Sequence, residues 1–186
     1  MRKLIAAINM TLDGFCNHEA GIADEAIHEH YNDLLREAGL LLYGRTTYQL
    51  MEDFWPTVVA NPTGVSAMDD FAVLMDDIPK IVYSRTLKEV TWHSATLKNE
   101  LRHEDILALK QQPGKPIFAG SPSMIVALTN MGLIDEYQIN IMPIILGSGL
   151  TLLKDIQHRV DLELVRTKTF SNGCVILYHE VRGPRE

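Results

Sequence analysis

Several familiar signals are missing from this chain, and each absence excludes something. There are only two cysteines, Cys16 near a turn and Cys174 in a strand-like run, among 186 residues. Two cysteines in a chain of this length make no disulfide framework, which points to a reducing cytoplasm. No apolar stretch approaches the roughly 20 residues that span a bilayer, so no membrane partner is expected. The basic start Met1-Arg2-Lys3-Leu4 leads into an apolar segment broken by Asn9, Thr11 and Asp13, which reads as a strand rather than a signal peptide. Basic residues are short: 17 Lys and Arg face 24 Asp and Glu, for a net charge of −7. That balance makes nucleic acid a poor partner, since a basic face does the attracting there. A small anion is still allowed, because a few local cations override the mean. No Walker-type G-x-x-x-x-G-K-[ST] loop occurs. Gly147 and Gly149 begin a G-x-G-x-x-G, but Leu152 occupies the third position and too little chain follows for a Rossmann half. No G-x-S-x-G elbow or Cys-His nucleophile pair with family spacing is present either.

What remains is ordinary soluble composition, 46% hydrophobic and 22% charged. The length suits one domain over residues 1–186. "RKLIAAINM" is near-continuously apolar, as in a strand buried on both faces, and Asp13-Gly14 then turns the chain. The spacing of Ile27, Tyr31, Leu34, Leu35 and Ala38 predicts a helix from Asp24 to Ala38, capped by Asp24 and closed by Gly39. "LLLY" is a second strand and "RTTYQLMEDF" a helix. A looser stretch with Pro56 and Pro62 precedes a helix near Ser66–Met75. "KIVYS" and "TWHSATL" read as strands, "HEDILALKQQ" as a helix, "KPIFAG" as a strand and "SPSMIVALTNMG" as a helix. "IDEYQINIMPIIL" reads as one long strand whose internal Pro143 implies an edge position or a bulge. Two β-rich runs near Asp161–Phe170 and Cys174–Val181 flank the hairpin turn Ser171-Asn172-Gly173. Alternating strands and helices closed by a hairpin give an α/β fold, with a mixed, mostly parallel sheet flanked by helices and an antiparallel C-terminal edge.

Three strand ends share one chemistry. "LLLY" hands over to Gly44-Arg45-Thr46-Thr47, "KIVYS" ends in Ser84-Arg85-Thr86, and "KPIFAG" ends in Gly120-Ser121-Pro122-Ser123. Helix N-termini at such ends present N–H groups and a positive dipole end to an anion, and arginine adds a planar fork that suits phosphate. Any one of these joints reads equally well as an ordinary Ser/Thr helix cap. Their recurrence points to a dinucleotide, with its pyrophosphate and a separate ribose phosphate.

The segments "KLIAAINMTLDGF", "LLYGRTTYQLMEDFW", "KIVYSRTL", "IFAGSPSMIVAL" and "MGLIDEYQINIMPIILGSGLTLL" occur in an order that resembles the dihydrofolate reductase-like superfamily. Within it, the chain is similar to single-domain relatives of the reductase domain of the bifunctional riboflavin biosynthesis enzyme. The resemblance implies a three-layer dihydrofolate reductase-like fold, a homodimer, and NADPH as the hydride donor to a small heterocyclic substrate of pterin, folate or pyrimidinone type. It places cofactor phosphate at Gly44, Arg45, Thr46 and Thr47, the adenosine 2′-phosphate at Ser84 and Arg85, and the pyrophosphate at Gly120, Ser121, Pro122 and Ser123. It sets Ala7 beside the nicotinamide amide, with Leu146, Gly147 and Gly149 lining the same cleft. One departure is Ala119-Gly120, where many members carry two adjacent glycines.

Hydride transfer calls for a nearby proton donor, and a carboxylate with a raised pKa can serve. Asp13, at the end of the first strand, is the catalytic candidate, although Asp13-Gly14 also reads as a plain turn. Asn32 and Trp55 are candidate substrate contacts, with core packing the alternative for Trp55. "HEH" at His28–His30 offers no metal site, since residues two apart diverge on a helix; both histidines are expected on a solvated face. A non-catalytic NADP(H)- or nucleotide-binding sensor or accessory protein is the alternative function.

Overall fold

The computed structural model describes residues 1–21 and 24–183. In chain order the elements are β1 (Leu4–Thr11), a single 3-10 turn (His18–Ala20), α1 (Glu25–Glu37), β2 (Leu40–Gly44), α2 (Arg45–Ala60), α3 (Ser66–Asp77), β3 (Lys80–Tyr83) and β4 (Ala95–Lys98). There follow α4 (His103–Gln111), β5 (Ile117–Ala119), α5 (Pro122–Asn130), β6 (Glu136–Met142), β7 (Leu162–Thr169) and β8 (Val175–Val181). The strands make a mixed, mostly parallel sheet with an antiparallel C-terminal hairpin, and five helices flank it. No helix among the described residues is long and apolar enough to cross a membrane. The chain divides into two compact units, Met1–Arg2 with Ala23–Phe118, and Lys3–Ile22 with Ala119–Glu186.

In the first unit, β2 is buried along its whole length and pairs in parallel with β3, Leu41 opposite Lys80 and Gly44 opposite Tyr83. β3 pairs in parallel with β4 in turn. The Asp24 carboxylate accepts the Ile27 N–H at 2.9 Å, which caps α1 as the sequence predicts. α1 packs on α3, and His30 is buried there, contrary to the expected solvated face. Helix α2 runs straight through Pro56 to Ala60, where a looser stretch was expected. Proline removes one backbone bond from a helix interior, but Trp55 and Val58 on either side are buried, and their packing holds the helical path. The Asp69 carboxylate then accepts Thr63 N–H, the Thr63 hydroxyl and Gly64 N–H, which fixes the link into α3. β4 begins later than predicted because the N–H groups of Thr91 and Trp92 bond to side chains of α2 rather than to a strand.

In the second unit the order is β1-β6-β8-β7. β6 pairs in parallel with β1 and antiparallel with β8, so it is an interior strand. Pro143 lies one residue past its end, where a missing N–H costs no ladder bond; the edge or bulge expected for it is corrected. The Ser171-Asn172-Gly173 turn forms as predicted, with Gly173 at φ 87° and Asn172 Oδ1 accepting the Cys174 N–H. Met75, Met124 and Met142 fill core positions.

Lys80 opens β3 at 1% exposure. Its Nζ donates to Ile78 O at 2.8 Å and Ser94 Oγ at 2.7 Å, and sits 4.1 Å from the Trp92 ring centre. Burial pushes this ammonium down from 10.5 to about 8, against the pull of Asp76 and Asp77. The folded protein therefore releases the proton near pH 8 and the unfolded chain near 10.5. Between those values the unfolded chain binds more protons, so stability climbs as pH rises through the window. The melting temperature of the wild type relative to Lys80→Met should rise from pH 8 to 10.5. A flat difference would contradict the burial of a charged Lys80.

Candidate functional site

The first unit brings two of the three strand-end joints together. Because β2 and β3 run in register, Arg45 and Ser84 leave the sheet side by side. Arg45, Thr46, Arg85 and Thr86 are exposed, and Thr47 is half-buried. Arg45 Nη1 donates to Thr86 Oγ1 at 3.0 Å, which joins the two segments directly. Ser84 Oγ accepts the N–H groups of Thr86 at 3.2 Å and Leu87 at 3.0 Å, so Arg85 sits inside a short side-chain-closed turn. The N-cap of α2 is Gly44, which has no side chain of its own to cap the helix. Arg45 at the start of α2, and Arg85 on the turn that Arg45 contacts through Thr86, are cations of the kind that suits a phosphate.

A second set of contacts, whose role the motifs did not reveal, holds the far end of the same β3–β4 connection. Tyr48 OH donates to Glu52 Oε1 at 2.5 Å. That oxygen also accepts the Thr91 hydroxyl, the Thr91 N–H at 3.2 Å and the Trp92 N–H at 3.1 Å. Burial pushes the Glu52 carboxyl up, yet the bonds from Thr91, Tyr48 and Trp92 outweigh it and hold the group below its usual range. Arg45, Tyr48 and Glu52 are spaced three and four apart, which puts them on one stripe of α2. That spacing was the available signal.

Asn32 and Trp55, the candidate substrate contacts, are both buried. Asn32 is 2% exposed, and its Nδ2 donates to Ala67 O at 2.8 Å across the α1–α3 packing. Trp55 is buried, with its ring 4.4 Å from Phe71 and its Nε1 on Met51 Sδ. Both positions hold helices together. Asp76, Asp77 and His93 bring ligand-type atoms within 4.8 Å of one another. Asp76 Oδ1 is already bonded by Trp92 Nε1 at 2.5 Å, and the other two residues are exposed, so the trio reads as surface acid beside Lys80.

The second unit holds the third joint and Asp13. Gly120 is half-buried, Ser121 is the buried N-cap of α5, Pro122 is the first helical residue and Ser123 is exposed. Ala7 is half-buried in β1, opposite Gln138. Asp13, the candidate acid, lies in the turn that follows β1. Its carboxylate accepts the Thr11 hydroxyl at 2.6 Å, Gly147 N–H at 2.7 Å and Leu146 N–H at 3.0 Å. Those donors hold it below the ordinary carboxylate range, and the carboxylate tethers the backbone of Leu146 and Gly147. The N–H groups of Leu146 and Gly147 are correspondingly committed to Asp13.

The same two segments are zipped further along. Asn17 Oδ1 accepts the Leu150 N–H at 2.7 Å, and Leu150 O accepts the Cys16 N–H at 2.8 Å and the Cys16 thiol at 3.2 Å. Burial pushes the Cys16 thiol up to about 11. Beside this zipper lies a shallow hollow of about 270 Å³ lined by Asn17, Glu19, Ala20, Leu146 and Ser148. Gly149 sits at φ 150°, and a Cβ there would collide with Asn17 Oδ1.

Residues 2–176 match the RibD C-terminal domain, and the chain belongs to that family. It is 33% identical to the uncharacterized protein YyaP of Bacillus subtilis (strain 168) over 183 residues, 96% of this chain and 95% of that protein. Its fold is similar to the crystal structure of a candidate riboflavin biosynthesis protein from Shewanella sp. PV-4, with a TM-score of 0.75 at 18% identity, covering 97% of this chain and 99% of that one. It is also similar to the dihydrofolate reductase of Enterococcus faecalis complexed with NADP(H) and RAB-propyl, with a TM-score of 0.66 at 14% identity and 97% of each chain covered. The fold is thus of reductase type and dihydrofolate reductase-like.

Gly149→Ala should lower stability by about 1–3 kcal/mol, as expected for a side chain forced into a strained backbone region. Urea unfolding reads it directly. An unchanged midpoint would mean that Asn17 and Leu150 are not held as described.

Proposed function

We propose that the protein is an NADPH-dependent reductase of a small heterocyclic compound of pterin, folate or pyrimidinone type, with residues 1–186 acting as one catalytic domain. The observation that carries this reading is the exposed pair Arg45 and Arg85 at the ends of two parallel strands in register, joined through Thr86. An NADPH molecule would meet Gly44, Arg45, Thr46 and Thr47 through phosphate, Ser84 and Arg85 through its 2′-phosphate, and Gly120, Ser121, Pro122 and Ser123 through the pyrophosphate. Ala7 would face the nicotinamide amide. When bound, NADPH supplies the hydride, and the protein positions and polarises. Asp13 would serve by holding Leu146 and Gly147 in place, with Gly149 completing that wall. Support comes from the family, and from the Enterococcus faecalis neighbour, which was solved with NADP(H).

One observation favours the alternative of a nucleotide-binding protein without turnover. The carboxylate best placed to act as an acid is spent on a backbone tether. A homodimer in the cytoplasm completes the proposal. Strand β7 is exposed along its length and carries Leu162, Leu164 and Val165 outward at the edge of the hairpin, and such edges tend to be paired. Cys16 and Cys174 are in the thiol form, not joined in a disulfide, which suits a reducing compartment.

Titration with NADPH and NADH tests the cofactor assignment. Tight binding of NADPH is expected, and Arg85→Ala should weaken NADPH about tenfold while leaving NADH nearly unchanged. Equal loss for both would sink the 2′-phosphate assignment. Oxidation of bound NADPH by a panel of pterins, folates and pyrimidinones separates enzyme from binder, since a binder consumes none. Light scattering should give about twice the 20.9 kDa chain mass, with Leu164→Lys shifting it toward one chain. A single-chain mass for the wild type rules out the dimer.

A further inference from the structure

We propose that Glu52 is a positioning residue for adenosine 2′-phosphate recognition, because it and Arg45 grip opposite ends of the β3–β4 loop that carries Arg85. The assignment rests on the NADPH reading above and deepens it: it names what sets the preference for a 2′-phosphate.

The argument starts from loop mechanics. Tyr83 ends β3 and Ala95 begins β4, so the connection must hold its own shape. A guanidinium on a loose loop loses conformational freedom when it meets phosphate, and that loss subtracts from affinity. Here the loop is fixed at both ends. At its start, Ser84 Oγ closes the turn around Arg85, and Arg45 holds Thr86. At its far end, the backbone N–H groups of Thr91 and Trp92 are shared between Glu52 Oε1 and Tyr48 OH.

The two grips belong to one rigid object. Arg45 and Glu52 lie seven residues apart on α2, about two turns, so the span between them is fixed by the helix rise. Four donors converge on a single carboxylate oxygen. Bonds of that kind to an ionised acceptor are about twice as strong as neutral ones. Glu52 is half-buried at the surface, outside the apolar core.

The test uses the full chain and two fragments that differ only in the 2′-phosphate, 2′,5′-ADP and 5′-AMP, titrated calorimetrically. The wild type should prefer 2′,5′-ADP. Glu52→Ala should cut that preference about tenfold, with the affinity for 5′-AMP changed less than about twofold. Glu52→Gln keeps the acceptor oxygen and should retain most of the preference. Thr91→Ala removes one donor from an exposed loop residue and should show a smaller loss in the same direction. Equal weakening of both fragments in Glu52→Ala, or an unchanged preference, overturns the assignment and leaves the cofactor reading standing. A wild type that binds both fragments equally, or neither, overturns the cofactor reading and this assignment with it. Should Glu52→Ala fail to fold, Thr91→Ala decides: a preference equal to that of the wild type overturns the proposal.

Discussion

The parallel register of β2 and β3 is the constraint on which the first unit depends. Gly44 stands opposite Tyr83, and every residue of β2 is buried. Since side chains alternate faces with a period of two, a slip of one residue would exchange the two packed sets of β2 between its faces. The register is therefore strongly specified by packing alone. Its chemical result is that Arg45 and Ser84, each the first residue beyond its strand, emerge as neighbours. Nothing in either local motif specifies that distance; the apolar strands behind them do.

The second unit solves a different problem, that of backbone polar groups left over when a strand stops. Pro143 ends the ladder of β6, and the chain beyond it still carries donors that need acceptors. Asp13 accepts Leu146 and Gly147, and Asn17 accepts Leu150. Two short side chains thus replace a missing strand partner. The same economy explains the low pKa of Asp13: a carboxylate recruited to satisfy N–H groups is stabilised in its charged form. Tethering and proton donation make opposite demands on one group, and the geometry here favours the tether.

Local features of the fold were legible in the residues. Asp24 signalled the start of α1, Ser171-Asn172-Gly173 the hairpin, and the hydroxyl-rich strand ends marked the joints that the fold brings together in the first unit. What escaped reading depended on partners distant in sequence. Pro56 looked like a helix breaker until the burial of Trp55 and Val58 entered. Thr91 and Trp92 carried a strand-like pattern, but their N–H groups are captured by Tyr48 and Glu52, some forty residues earlier in the chain. Asn32, one turn after His28, suggested a substrate contact; its amide meets the Ala67 carbonyl, thirty-five residues on. His30, expected on a solvated face in the absence of a metal site, is buried against neighbours that its own helix does not reveal.

The zipper at Cys16 has a chemical consequence beyond shape. The thiolate, rather than the thiol, attacks electrophiles and enters exchange reactions. A thiol whose pKa lies at about 11 is ionised in only about one molecule in ten thousand at neutral pH. Its hydrogen is also turned toward the Leu150 carbonyl. Cys174, the other sulfur, is wholly enclosed. Thiol-directed reagents therefore meet two buried cysteines in the native state, which become accessible when the chain opens. Thiol labelling of this molecule would accordingly report unfolding, a clock set by the fold rather than by the chemistry of the label.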